Sequence, residues 1–150
     1  MSGVPAFGQE TPGQPKTYIL DASAIIRFLD KEAGSGRVRE ILCDHAVGSC
    51  RVVVCALHWG EVALTLVRRV GTHDQDQIMR ELLSLGFEII PATGERAVRS
   101  AQIKGRLGIP YVDAFGVELA GDSPAHVFVT ADFDMKPAAA EVEIEFLPTK

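Results

Sequence analysis

Cysteine is scarce in this chain and poorly placed for its usual structural duties. Cys43, Cys50 and Cys55 form an odd set, with no CxxC pair and no histidine at zinc-finger spacing. They read as buried thiols in a reducing compartment, not as a disulfide frame or a zinc site. Long apolar runs are missing too. None approaches the roughly 20 residues of a membrane span, and the N-terminus lacks the charged-then-apolar pattern of a secretory signal. The expected setting is cytoplasmic, with no membrane partner. Positive charge is the third shortage. Fifteen Lys and Arg against twenty Asp and Glu leave a net charge of −5, which weighs against broad, non-specific binding to nucleic acid. One arrangement escapes that inference: acids sequestered around a divalent cation make net charge understate how well the remaining surface receives a phosphate chain. No Ser or Cys stands in a nucleophile turn and the four histidines are scattered, so a triad hydrolase is disfavoured.

What is present suits one soluble domain: 150 residues, 47% hydrophobic and 23% charged, enough to bury a core without staples. Residues 1–16 hold three prolines and three glycines without periodicity and read as a disordered leader to a domain at 17–150. Tyr18-Ile19-Leu20, Arg51-Val52-Val53-Val54, Phe87 to Ile90, His126 to Val129 and Val142 to Phe146 read as strands, the last an edge strand. Helical spacing lies between them: Ala22 to about Ala33, a helix capped by Ser35, Ala56 to Arg69, and a helix opened by a Thr72/Gln75 capping box that buries Ile78, Leu82 and Leu85. A further helix runs from a Thr93 cap to Gly108 with Ala97, Ala101 and Lys104 on one line, and the last opens at Pro110. Alternating strands and helices indicate an α/β domain with a mainly parallel, roughly five-stranded sheet and helices on both faces.

Four acids mark element boundaries. Asp21 follows the first strand directly; alone, it reads as a helix cap. Glu61 falls at i+4 in the row Leu57, Glu61, Leu64, where an inward carboxylate is costly without a partner. Asp113 sits in the first turn of the helix after Pro110, near the positive end of its dipole. Asp132 follows the fourth strand through Thr130-Ala131, with Asp134 as its rival. Two acids follow strands and one opens a helix, so they can converge at one edge of a parallel sheet. Unit charges 5 Å apart at an effective dielectric near 20 repel by about 3 kcal/mol. Such a cluster persists with retained protons or a divalent cation, and Mg²⁺ takes oxygen ligands while keeping waters that phosphate oxygens can replace. An aspartyl-nucleophile phosphohydrolase is disfavoured, because Ser23 stands where an Asp-x-Asp motif needs its second acid.

The runs YILDAS, VCALHWGEVA, IKGRLGIPYVDAFGVELA and VFVTADFDM, in that order, resemble the PIN-domain superfamily, and most of all its VapC-type toxins. The resemblance spans roughly residues 17–147 and implies a three-layer α/β/α fold. It implies that Asp21, Glu61, Asp113 and Asp132 are catalytic metal ligands, with Ser23 and Thr130 as supporting hydroxyls. It further implies a Mg²⁺- or Mn²⁺-dependent endoribonuclease that hydrolyses RNA with a metal-activated water. The implied partners are a cognate antitoxin and a second copy in a homodimer. Alternatives on the same fold are a nuclease of RNA maturation or DNA processing, and a regulatory binding module. Two positions depart from the family pattern: Cys55 where Ser is frequent, and Trp59-Gly60 where small aliphatic residues are usual. Trp59 reads as a core or dimer residue before a base-stacking one. Lys104 and Arg106, which lead into the Asp113 motif, are the better candidates for RNA contact among Arg27, Lys31, Arg68, Arg69 and Lys136.

Overall fold

The structure, a computed structural model, describes residues 14–150, so most of the expected leader at residues 1–16 lies outside the described residues. Five strands form one sheet in the order β3-β2-β1-β4-β5, and every pairing is parallel. They are β1 (Thr17–Leu20), β2 (Arg51–Cys55), β3 (Glu88–Ile90), β4 (His126–Thr130) and β5 (Ile144–Phe146). β1 is central, with Ile19 opposite Val53 on one side and Phe128 on the other. Its position explains the unbroken apolar run, since both faces of this strand are covered.

Side-chain alternation splits the interior into two cores. Leu20, Val52, Val54, Val127 and Val129 point into one, where they meet α1 (Ala22–Asp30), α2 (Ser35–Ala46) and α3 (Ala56–Leu83). Ile19, Val53, Cys55 and Phe128 point into the other, beneath α4 (Gly94–Leu107), α5 (Tyr111–Ala120) and a 3-10 helix, Phe133–Ala140. The expected three layers are therefore present. Buried Glu118 staples α5 to α4 by accepting from Arg96 at 2.5 Å and Arg99 at 3.0 Å.

Several local expectations are corrected. α1 stops at Asp30, because Lys31 takes a left-handed conformation (φ 54°) and closes the last turn onto Arg27 and Phe28 carbonyls. Ser35 is already helical; Gly34 is the cap of α2 and makes no side-chain hydrogen bond. Ala56 to Arg69 and the following helix are continuous except at Gly71, whose φ of 82° breaks the path within α3. Instead of turning back to Thr72, the Gln75 amide donates to the Ala63 carbonyl. Leu85 is exposed while Met79 and Leu82 are buried. The inward side of α4 carries Ala97, Ser100 and Ile103, not Ala101 and Lys104. Of the three thiols only Cys55 is buried; Cys43 is exposed and Cys50 half-buried, and all are free. The Thr93 cap of α4 stands as expected, accepting from Arg96 N at 3.2 Å. Among the described residues no helix is long and apolar enough to cross a membrane.

Candidate active site

Strand order places the site. The chain moves from β1 outward to β2 and β3, then returns to lay β4 on the other side of β1. At such a switch point the carboxyl ends of neighbouring strands open a crevice. Asp21 leaves β1 there, and Thr130, Ala131 and Asp132 leave β4 beside it.

A compact hydrogen-bond network ties the two strand ends together. Asp21 Oδ1 accepts from Ser23 Oγ at 2.6 Å and from Ala24 N at 2.9 Å, while Oδ2 accepts from Thr130 Oγ1 at 2.5 Å. Ser23 Oγ also accepts from Ala131 N, and Thr130 Oγ1 from Asp132 N, both at 2.9 Å. Asp21 is thus both the cap of α1 and a pinned carboxylate. The capping falls to Asp21 and not to Ser23, whose hydroxyl bridges β1 to β4 instead. Burial holds the Asp21 carboxyl above its ordinary range, against the lowering pull of His58 and of its three donors.

Asp21, Ser23, Glu61, Asp113 and Asp132 line one open pocket of about 410 Å³, together with Ala22, Ile26, Thr65 and Arg69. All four acids singled out in the sequence therefore meet. Asp134 is exposed, and its N–H donates to Asp132, which caps the 3-10 helix. Asp132 is the acid that reaches the pocket.

Glu61 gets there by a different route from the one its spacing suggested. The buried row of α3 is His58, Val62 and Leu66, one or two positions on from Leu57, Glu61 and Leu64. The Glu61 side chain is 47% exposed and opens directly into the pocket. Its carboxyl is raised above the usual range, first by partial desolvation and then by the charges of Asp113 and Asp21, with His58 opposing.

His58 is the residue that sequence reasoning missed. It is fully buried, and Nε2 lies 3.1 Å from Asp113 Oδ1 and 4.0 Å from Glu61 Oε1. Its Nδ1 is buried without a partner among the described residues. A carboxylate only accepts, so Nε2 donates to Asp113. The only available signal was a histidine three residues before Glu61, one helical turn back on the same side.

The basic candidates are mostly occupied elsewhere. Lys104 donates to the Ile109 carbonyl and Arg106 pairs with Glu141, so neither preferred residue reaches the pocket. Trp59 packs half-buried against the core, edge-on to Phe87 at 5.7 Å.

The family model described as PIN domain matches residues 18–141, nearly the whole described chain. The chain belongs to the PIN-domain family. Its fold is similar to that of the DNA-bound VapBC from Salmonella typhimurium, with a TM-score of 0.66, 16% identity, and coverage of 87% of this chain and 98% of that one. VapBC2 from Rickettsia felis, bound to a promoter DNA fragment, gives 0.67 and 14% over 87% and 98%. The sarcin-ricin loop cleaving toxin VapC20 from Mycobacterium tuberculosis gives 0.63 and 18% over 87% and 99%. No curated protein matches the chain in sequence. At these identities the solved structures establish the PIN fold.

Proposed function

We propose that this PIN-domain protein is a metal-dependent endoribonuclease and the toxin of a toxin–antitoxin pair, with residues 17–150 as its nuclease domain. The observation that carries the reading is the convergence of four carboxylates on one pocket at the switch point between β1 and β4. The PIN family and the resemblance to VapC structures support the choice of reaction and partner. An antitoxin as inhibitor, a homodimer and a cytoplasmic setting belong to the same proposal.

The donor set fits a hard divalent cation. Every acidic group in the pocket offers oxygen; burial raises Asp21, and burial with the charges of Asp113 and Asp21 raises Glu61. Among the described residues, no three acidic, histidine or cysteine groups stand close enough to hold an ion as they are placed. Asp21 is pinned and Asp113 is tied to His58, whereas Glu61 is half-exposed and held only loosely. Glu61 is therefore the least constrained of the acids that would hold an ion here. Asp21, Glu61, Asp113 and Asp132 would hold Mg²⁺ or Mn²⁺, which supplies charge neutralisation at the phosphate and an acidified water.

The chain's own residues do the rest. Ser23 and Thr130 fix the Asp21 carboxylate at the pocket wall. His58 fixes Asp113 through Oδ1 and leaves the other oxygen for the pocket. Glu61, open to the pocket and with its carboxyl raised, would accept a proton from water there.

Two outcomes are expected. Purified protein cleaves single-stranded RNA with Mg²⁺ or Mn²⁺, stops when the metal is chelated and resumes when it is restored. No cleavage of RNA with either metal would leave the binding-module reading in its place, and cleavage of DNA alone would favour DNA processing. His58→Ala weakens Mn²⁺ binding, measured by calorimetry, by about 10- to 100-fold, as loss of a group that orients a ligand does. His58→Gln, which keeps an N–H donor, recovers part of that affinity. Unchanged Mn²⁺ affinity in His58→Ala would remove the positioning role.

A further inference from the structure

Arg69 is the one cation among the residues that line the acidic pocket. It stands at the end of a row on α3: Glu61, Thr65 and Arg69 recur every four residues, and all three border the same space. At 1.5 Å of rise per residue, Arg69 lies about 12 Å along the helix from Glu61. Its backbone thus borders the pocket about two turns along the wall from Glu61. A guanidinium there would meet a phosphate beside the one that the acids would handle.

The guanidinium is anchored in an unusual way. Nη1 alone donates to both carboxylate oxygens of Asp30, at 2.9 Å each. A fork-to-fork pair would engage two nitrogens; here Nε and Nη2 have no partner among the described residues. The arginine side chain remains 47% exposed. Asp30, at the last turn of α1, thus orients the group while leaving free the edge that binds a phosphate in bidentate fashion. A pocket lined by four acids repels an incoming polyanion, and a cation at its rim offsets part of that repulsion.

We propose that Arg69 is a substrate-binding residue that clasps a phosphate of the RNA strand flanking the cleaved bond, with Asp30 as its positioning partner. The proposal rests on the nuclease reading above and deepens it: the substrate is a strand continuing along α3, not an isolated phosphodiester.

The test uses salt dependence, which a purely structural ion pair would not alter. A short labelled single-stranded oligoribonucleotide is titrated by anisotropy at several salt concentrations against Asp113→Asn protein, so that the strand is held but not cut. Adding Arg69→Gln is expected to weaken binding about tenfold and to reduce the slope of log Kd against log salt by about 0.7, one single-strand phosphate contact. Arg69→Lys falls between, and Asp30→Asn keeps the parent slope. With Asp113 intact, Arg69→Gln raises KM about tenfold with kcat nearly unchanged, as loss of uniform binding does. If Arg69→Gln and Asp30→Asn lower the melting temperature alike and leave the slope and KM untouched, the pair is only a staple between α1 and α3 and the proposal fails, while the nuclease reading stands. If the wild type neither binds nor cleaves RNA, the nuclease reading fails and takes this one with it.

Discussion

Replacing Asp21 with Asn is expected to lower RNA cleavage by about 10³-fold, roughly 4 kcal/mol of transition-state stabilisation, without destabilising the metal-free protein at neutral pH. The two halves of that result have one cause. Asp21 is fully buried at the end of the central strand, and burial raises its carboxyl above the unfolded value. A group raised in the folded state stabilises fully below its unfolded pKa and loses that contribution as pH rises through the folded pKa. Above the unfolded carboxylate range the buried Asp21 carboxyl therefore costs the metal-free chain stability. Asn retains an oxygen for Ser23 and Ala24, and turns an amide toward Thr130 Oγ1. The charge is lost, and the network can be rebuilt around it. Thermal unfolding without metal should show a wild type that weakens as pH rises from the carboxylate range, and a variant with a flatter profile. With Mn²⁺ present the order reverses, because only the wild type gains stability from the ligand. A variant that keeps wild-type cleavage would remove Asp21 from the chemistry. A variant that unfolds at every pH would make Asp21 a structural cap.

The largest effect on folding is expected at Gly116→Ala. Gly116 lies in α5 where the helix rests on the Phe128 ring, and Phe128 is fully buried in β4. An added Cβ would stand 2.9 Å from Phe128 Cδ1 and Cζ, and closer still to Cε1. The ring is packed within the core, so the added atom must displace it. Overpacking of this kind costs about 3 kcal/mol, against about 1 kcal/mol gained in helix propensity. A net loss of ~2 kcal/mol lowers the melting temperature by about 4–8 °C in a domain of this size. Gly60→Ala is the control: it is also helical, has nothing within 4 Å of its added Cβ, and gains up to ~1 kcal/mol. Urea unfolding of the pair measures both. Equal stability of Gly116→Ala and wild type would mean that α5 does not bear on the sheet at this point. Because Asp113 sits one turn earlier on α5, the same contact sets the height of an acid in the pocket.

Much of this site was legible because charge at an element boundary is conspicuous. Asp21 after Leu20 and Asp132 after Thr130 stand out against unbroken apolar strands, and strand order then brings them together. Glu61 was picked out by an inward row that the structure moves on by one or two residues; it reaches the pocket because it lies just outside the buried stripe. The same shift hid His58, since a histidine among apolar neighbours carries no mark of the carboxylate it faces 55 residues later. Arg69 was one of seven basic candidates and stood behind Lys104 and Arg106, because the pocket wall it joins is defined by pairing between distant strands. The 3-10 helix from Phe133 to Ala140 was invisible for a local reason: Pro137 and three alanines give it no hydrophobic period. The fold was the most legible part, since five apolar runs separated by helical spacing leave little choice beyond a parallel α/β sheet.

The most direct test follows RNA cleavage and Mn²⁺ occupancy together, in wild type and in Asp113→Asn, across a metal titration. The expected result is a rate that rises in step with calorimetric occupancy in the wild type, with both lost in the variant. Full-rate cleavage under chelation, or by Asp113→Asn, would contradict a metal-dependent nuclease built on these four acids.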